Sequence, residues 1–339
     1  MKTALVVGKF YPPHAGHNYL IEAAKKQAKD VTVMVADRPE HKIPGKLRQQ
    51  WLQQMQPNVN VRLFKDKLDD NDSTGWGKST IDFLGFTPDA VFSSEAYGNP
   101  YAASMRTKHI EVDKPRKAIP CSATQIRQDP YRMWPYLSPP IKAYFALRIC
   151  IVGAESTGKT TLAKALAKHY QTDWVPEYGR LYTEQNITDL FTHRWTNKEF
   201  VHIAKTQNKL EEEAAAKCNR VLICDTDAFA TSIWYERYFH KRSSAIDTLA
   251  AGRSYDLYIV PDVKTPFVQD GWRDGNEKIR CWMHNRFLQK LEFWGKDYLL
   301  VSGSVQERLE QTVPVIDSLL KTKHRLAGRP INDLMSELQ

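Results

Sequence analysis

Residues 153–161 read GAESTGKTT, with a strand-like run RICIVG, Arg148 to Gly153, leading in and a helical pattern, Lys159 to Tyr170, following. Gly153, Gly158, Lys159 and Thr160 meet the spacing G-x-x-x-x-G-K-[ST], and a strand that hands over to a helix this way belongs in a parallel sheet. The glycines let backbone N–H groups close round a polyphosphate, and the helix N-terminus adds positive potential. Lys159 reaches the terminal phosphates and Thr160 is a ligand for Mg²⁺. Glu155, Ser156, Thr157 and Thr161 complete the loop as nucleotide-contacting positions.

The residues that follow supply what phosphoryl transfer needs. Strands are expected near Trp174 and over Val221–Asp225, Leu257–Val260 and Tyr298–Val301, with a long polar-faced helix, Asn197 to Cys218, between the first two. LICDTD places Asp225 at the C-terminal end of a β-rich run, where an acid holds Mg²⁺ directly or through water, and Asp227 lies two residues on. VPEYGR puts Glu177 and Arg180 over the same sheet edge, the first to take the proton of an attacking hydroxyl and the second to steady a phosphate. DGWRDGNEKIR, Asp270 to Arg280, reads either as a lid whose Arg273 and Arg280 close over the transferring group or as a solvated loop.

The first half alternates in the same way. Thr3–Gly8, Val31–Ala36, Val59–Phe64 and Ala90–Ser93 read as strands, with helical spacing after Gly16 and after Gly45. After the first strand comes GKFYPPHAGH, in which Gly16 removes a side chain between His14 and His17 so that a phosphate can approach the backbone. On its own the H-x-x-H pair is a phosphate site, a zinc half-site or two unrelated histidines, and no further Cys or His ligands follow at regular spacing. CSATQIR, Cys121 to Arg127, adds hydroxyls at Ser122 and Thr124 and a guanidinium at Arg127 on the following helix, which together make a polyphosphate clamp. HAGH with S-x-T-x-I-R resembles the nucleotidyltransferases that pass an adenylyl or cytidylyl group to a phosphate on a Rossmann-like fold. Class I aminoacyl-tRNA synthetases share the histidine signature but carry a lysine-rich loop where this chain has SATQIR.

The length of 339 residues suits two domains at roughly 100 to 200 residues each. The stretch DPYRMWPYLSPPI, Asp129 to Ile141, with four prolines, reads as the boundary. The expected order is a nucleotidyltransferase domain over 1–130, a linker over 131–147, a P-loop kinase domain over 148–325 and a polar tail over 326–339, both domains α/β with a parallel sheet. Five scattered cysteines without a C-x-x-C pair fit reduced thiols, no run approaches the roughly 20 apolar residues of a membrane span, and a cytoplasmic protein is expected. The net charge of +9 implies either anionic partners or a solvated basic surface.

Two nucleotide modules in this order resemble the bifunctional NadR-type family, nicotinamide-nucleotide adenylyltransferase followed by ribosylnicotinamide kinase. The resemblance rests on GKFYPPHAGH, AVFSSEAYG, SATQIRQDP with Trp134 and Tyr136, IVGAESTGKTTLA, WVPEYGR, LICDTD and the DG-x-RDG stretch. It implies that the second half phosphorylates nicotinamide riboside with ATP and Mg²⁺, and that the first half joins the product, NMN, to the adenylyl group of a second ATP, giving NAD⁺ and pyrophosphate. Gly8, Lys9, Phe10, Gly16, His14, His17 and Arg127 are then phosphate-positioning residues, Arg48 in GKLRQQWL adds a phosphate contact, and Trp76 in STGWGKS faces the nicotinamide ring. In the second half the ring falls to Tyr178, Trp195 or Trp272. Longer members begin with a transcription-repressing helix-turn-helix; the first strand here begins at Thr3, so no operator-specific DNA binding is expected, nor a membrane partner. Small nucleotides are the expected partners, and a homo-oligomer is left open. Two rival readings keep other substrates on the same folds, or a nucleotide-sensing, nucleic-acid-binding regulator.

Overall fold

In the computed structural model of the chain, residues 1–189, 192–264 and 277–322 are described, and they fall into two compact units, Met1–Ile141 and Lys142 onward. The first is built on β1 (Thr3–Gly8), α1 (Ala15–Lys25), β2 (Asp30–Asp37), α2 (Gly45–Met55), β3 (Asn60–Lys65), α3 (Ser73–Leu84), β4 (Ala90–Ser93), α4 (Gly98–Ser104), β5 (Lys108–Glu111) and α5 (Ala123–Gln128). Its sheet is parallel throughout, in the order β3-β2-β1-β4-β5. In register, Val6 lies beside Val33 and Phe92. The central strands are apolar on both faces because helices cover both, so Val6, Val33 and Phe92 fall in one core layer and Leu5, Met34 and Val91 in the other.

The expected strands all form, and one more appears. β5 has the sequence KHIE, exposed at both ends, at the edge of the sheet. With one short polar-flanked turn of pairing it carries no apolar run for a reader of the sequence to find. The expected linker also proves to be folded. Its prolines begin helical segments, a 3₁₀ turn at Trp134–Tyr136 and the helix α6 (Pro139–Phe145), and Tyr131, Met133, Trp134, Leu137 and Ile141 are buried. Proline is favoured at a helix start, where its missing N–H costs nothing, so the run initiates structure rather than interrupting it.

The second unit continues with β6 (Leu147–Ile151), α7 (Lys159–His169), β7 (Trp174–Val175), α8 (Tyr178–Asn186), α9 (Asn197–Ala215), β8 (Val221–Asp225), α10 (Ala228–Phe239), α11 (Ser244–Ala251), β9 (Leu257–Pro261), α12 (Glu277–Phe293), β10 (Tyr298–Val301) and α13 (Val305–Thr322). The sheet is again parallel, in the order β10-β9-β6-β8-β7. β6, β8 and β9 are buried along their whole length. α9 begins where it does because Thr196 and Glu199 form a reciprocal capping box. Among the described residues no helix is long and apolar enough to cross a membrane.

Candidate functional site

Each unit gathers its candidate residues at the C-terminal end of its sheet. In the first, the order reverses between β1 and β4, and the loops leaving these two strands part to leave a crevice. His14 caps α1, its Nδ1 accepting the Gly16 N–H at 3.1 Å, which places its own proton on Nε2. A Cβ at position 16 would come within 3.0 Å of that ring, so a glycine is what lets the imidazole turn back over the helix start. The His14 and His17 rings lie against each other, tilted by 34° with centroids 3.8 Å apart, and Phe10 meets His17 edge-on at 4.8 Å.

Burial, and next the Arg116 guanidinium, lower His14 to about pKa 3; burial, His14 and Arg116 push His17 well below its ordinary value. Both rings are therefore neutral at pH 7 and act as N–H donors rather than charges. Among the described residues His17 Nδ1 is buried with no hydrogen-bond partner, the kind of group that a ligand satisfies. Serving the same crevice, Ser122 caps α5 and Thr124 holds Arg127 Nη2 at 3.0 Å. Arg127 Nη1 reaches back to the Tyr11 carbonyl at 2.6 Å. The two motifs, far apart in sequence, are thus clamped together. Among the described residues no group of three or more His, Cys, Asp or Glu is placed to hold a metal ion.

Three candidates from the first half stand elsewhere. Arg48 is fully buried, and its five N–H groups go to the carbonyls of Ile43, Lys9 and Ala36, to Asp37 and to His41 Nδ1. It braces the loop after β1 from behind and has no donor left for a phosphate. Replacing it with methionine leaves Asp37 and three carbonyls uncompensated and should cost about 3 kcal/mol, measured as a lower urea midpoint for the first unit with the second unchanged. Lys9 lies exposed, paired to Asp70 at 3.1 Å. Trp76 packs between Phe64 and Tyr101 and donates to the Asp69 carbonyl at 3.1 Å, away from the histidine crevice. Gly8 closes β1 ahead of Phe10, whose φ of 44° turns the chain into the loop.

In the second unit the loop from β6 to α7 is held by its own atoms. Ser156 and Gly158 take positive φ values of 52° and 81°, the turn that aims successive N–H groups inward. Lys159 is buried and donates to the Ala154 carbonyl at 2.8 Å, an acceptor it shares with the Thr157 hydroxyl at 3.0 Å. Thr160 donates to Asp225 Oδ2 at 2.5 Å, so the two oxygen ligands expected for Mg²⁺ stand side by side, one on the first turn of α7 and one at the end of β8. Thr161 is exposed on the first turn of α7. Around the loop, Arg237 pairs with the Glu155 carboxylate at 3.1 Å, Arg280 donates to the Glu155 carbonyl at 3.2 Å, and Arg308 to the Thr157 carbonyl at 2.5 Å.

A cleft opens from this loop towards α8, α9 and α10. Glu155, Lys159, Glu177, Arg180 and Glu184 supply its polar lining, and Trp195, Phe200, Trp234 and Tyr238 an aromatic wall. Arg180 is tied to Glu184 at 2.7 Å. Tyr178 does not join the wall, since its hydroxyl meets His202 at 3.1 Å and its ring packs on Tyr182. Asp227 also turns away from the cleft. It is buried as the cap of α10, with one oxygen on the Ala230 N–H and the other on the Tyr258 hydroxyl at 2.9 Å. Burial, and next Glu211, lift its carboxyl to about 7. Trp272 and Arg273 lie outside the described residues, as do most of the expected lid and the tail.

The sequence pointed to neither Arg116, Arg237, Arg308 nor Trp234. Arg116 had one local signal, the Asp113 carboxylate that accepts the N–H groups of Lys117, Ala118 and Ile119 and shapes the turn presenting it. The others reach the site from distant elements.

The family model of the AAA domain matches residues 148–308. Over 314 residues, 85% of this chain and 76% of the relative, the sequence is 29% identical to the trifunctional NAD biosynthesis/regulator protein NadR of Escherichia coli (strain K12). It is 28% identical over the same shares to its namesake from Salmonella typhimurium. A crystal structure of NadR protein in complex with NR superposes with a TM-score of 0.76 at 19% identity, covering 95% of this chain and 97% of that one. Another, in complex with NAD and AMP-PNP, gives 0.74 at 19%, covering 97% and 98%. The chain is a homologue of the NadR proteins, related to them in sequence over 85% of its length and sharing their fold.

Proposed function

We propose that the chain makes NAD⁺ from nicotinamide riboside in two ATP-consuming steps, phosphorylation in the second unit and adenylyl transfer in the first. The observation that carries this reading is the presence of two separate phosphate-binding loops, each opening on its own pocket, in a homologue of proteins named for NAD biosynthesis.

In the second unit the riboside enters the cleft with its cationic ring against the aromatic wall of Trp195, Trp234 and Tyr238, and the Glu177 carboxylate lines the same cleft. Glu177 takes the proton of the 5′-hydroxyl as that oxygen attacks the γ-phosphorus of ATP and the bond to ADP breaks. Lys159 exchanges the Ala154 carbonyl for phosphate oxygens. Thr160 and Asp225 form the hard oxygen set that suits Mg²⁺, which when bound neutralises charge on the β- and γ-phosphates. In the first unit a phosphate oxygen of NMN attacks the α-phosphorus of a second ATP, forming NAD⁺ and releasing pyrophosphate. His14 and His17 donate N–H groups to the phosphates, while Arg127, Ser122, Thr124 and the N-terminus of α1 hold them in line.

The test is product analysis. Riboside, ATP and Mg²⁺ should give NMN and then NAD⁺, and NMN in place of the riboside should give NAD⁺ and pyrophosphate directly. Folded protein that yields neither under saturating substrate overturns the reading.

A further inference from the structure

Gln207 belongs to no phosphate motif, yet it stands where the two halves of the kinase cleft meet. It projects from α9, is 2% exposed, and lines the cleft. Its Oε1 accepts the Tyr178 N–H at 2.9 Å, while Nε2 donates to Glu211 Oε1 at 3.3 Å and to the Thr226 carbonyl at 3.4 Å. An N–H can only donate and a backbone carbonyl can only accept, so these partners fix which end of the amide points where.

Two of these three partners adjoin a residue assigned to the reaction. Tyr178 is the first residue of α8 and follows Glu177, the N-cap, whose side chain makes no capping bond. Gln207 supplies that bond from another helix. Thr226 follows Asp225 and has a φ of 68°, a strained turn whose N–H is held by the Ile151 carbonyl at 3.0 Å. Behind the amide, Glu211 is fastened by the Tyr255 hydroxyl at 2.5 Å and by Arg253 at 3.2 Å.

We infer that Gln207 is a positioning residue, a strut that sets the loop carrying Glu177 at a fixed distance from the turn carrying Asp225. It touches the α8 start and the β8 end at once, and a pure helix cap would need only the first of these. The inference rests on the proposed roles of Glu177 and Asp225.

Gln207→Met keeps the length of the side chain and removes all three bonds. Its kcat for riboside phosphorylation should fall about 10- to 100-fold, the effect of misplacing reacting groups by about an ångström. KM for ATP should stay within about twofold, because binding is not what is lost. Wild-type amide-exchange protection over β6, β8 and β9 in the same preparation reports a folded second unit. A merely structural role would lower thermal stability and leave kcat per folded molecule alone, and that result, or wild-type kcat, overturns the inference. If Gln207→Met does not fold, Gln207→Asn, an amide one methylene too short to span both partners, takes its place with the same two outcomes. If the wild type does not phosphorylate the riboside at all, the functional reading fails on its own. The strut is then judged by amide exchange, which should quicken at Tyr178 in the variant, and unchanged exchange there refutes it.

Discussion

Lys159→Ala loses riboside phosphorylation by on the order of 10³-fold and keeps adenylylation of NMN. The size follows from what the ammonium does in a water-poor cleft, where one positioned donor to a developing phosphate charge is worth about 10²- to 10³-fold and a full positive charge stands at the upper end. The separation follows from the fold. Lys159 hangs from the first turn of α7 in the second unit, whereas the histidines, Ser122 and Arg127 all belong to the first. The variant should fold, because the side chain's hydrogen bond goes to a loop carbonyl that the Thr157 hydroxyl also serves. Supplied with riboside it accumulates neither NMN nor NAD⁺; supplied with NMN it makes NAD⁺ at the wild-type rate. Loss of both activities in a folded variant would replace two sites by one.

Why the two loops could be read from sequence, and much around them could not, is a matter of range. A strand, a glycine turn and a helix N-terminus are contiguous, so the spacing in GAESTGKTT and in HAGH is itself the geometry. Asp225 was legible for the same reason, as the last residue of an apolar run that can only be a buried strand. Arg48, Asp227 and Tyr178 have the right chemistry at nearly the right place and yet point elsewhere, because each found a partner across the fold: the loop carbonyls and Asp37, the Tyr258 hydroxyl, and His202. Trp234 and Gln207 show the converse. Gln207 falls on the buried face of α9 and Trp234 is half-buried on α10, but whether such a side chain meets core, cleft or solvent depends on how those helices lie against α8 and the β6 loop.

His17→Ala is expected to show the opposite split, cutting NMN adenylylation by about 10²- to 10³-fold while the riboside is still phosphorylated, so that NMN accumulates. The ring lines the crevice: it lies against His14, abuts Phe10, and presents a buried Nδ1 that has no partner among the described residues. Alanine removes a donor without creating a cavity in the core, since the ring lines a crevice open to ligand, and stability should change little. The depressed basicity of both imidazoles decides how the loss arises. A protonated pair would attract any polyanion, and its removal would raise KM above all; a neutral pair held beside Arg116 gains its advantage only as charge builds on the transferring phosphate. The loss should therefore fall mainly on kcat. Acidification does not repair it, because the folded site resists protonation down to about pH 3 at His14, and stability declines below the ordinary histidine pKa as the unfolded chain takes up protons that the folded chain refuses. Measuring kcat and KM for NMN at pH 6 and pH 8 separates the two accounts: a KM effect that grows at pH 6 would mean charged histidines, and a kcat effect equal at both means positioned neutral donors.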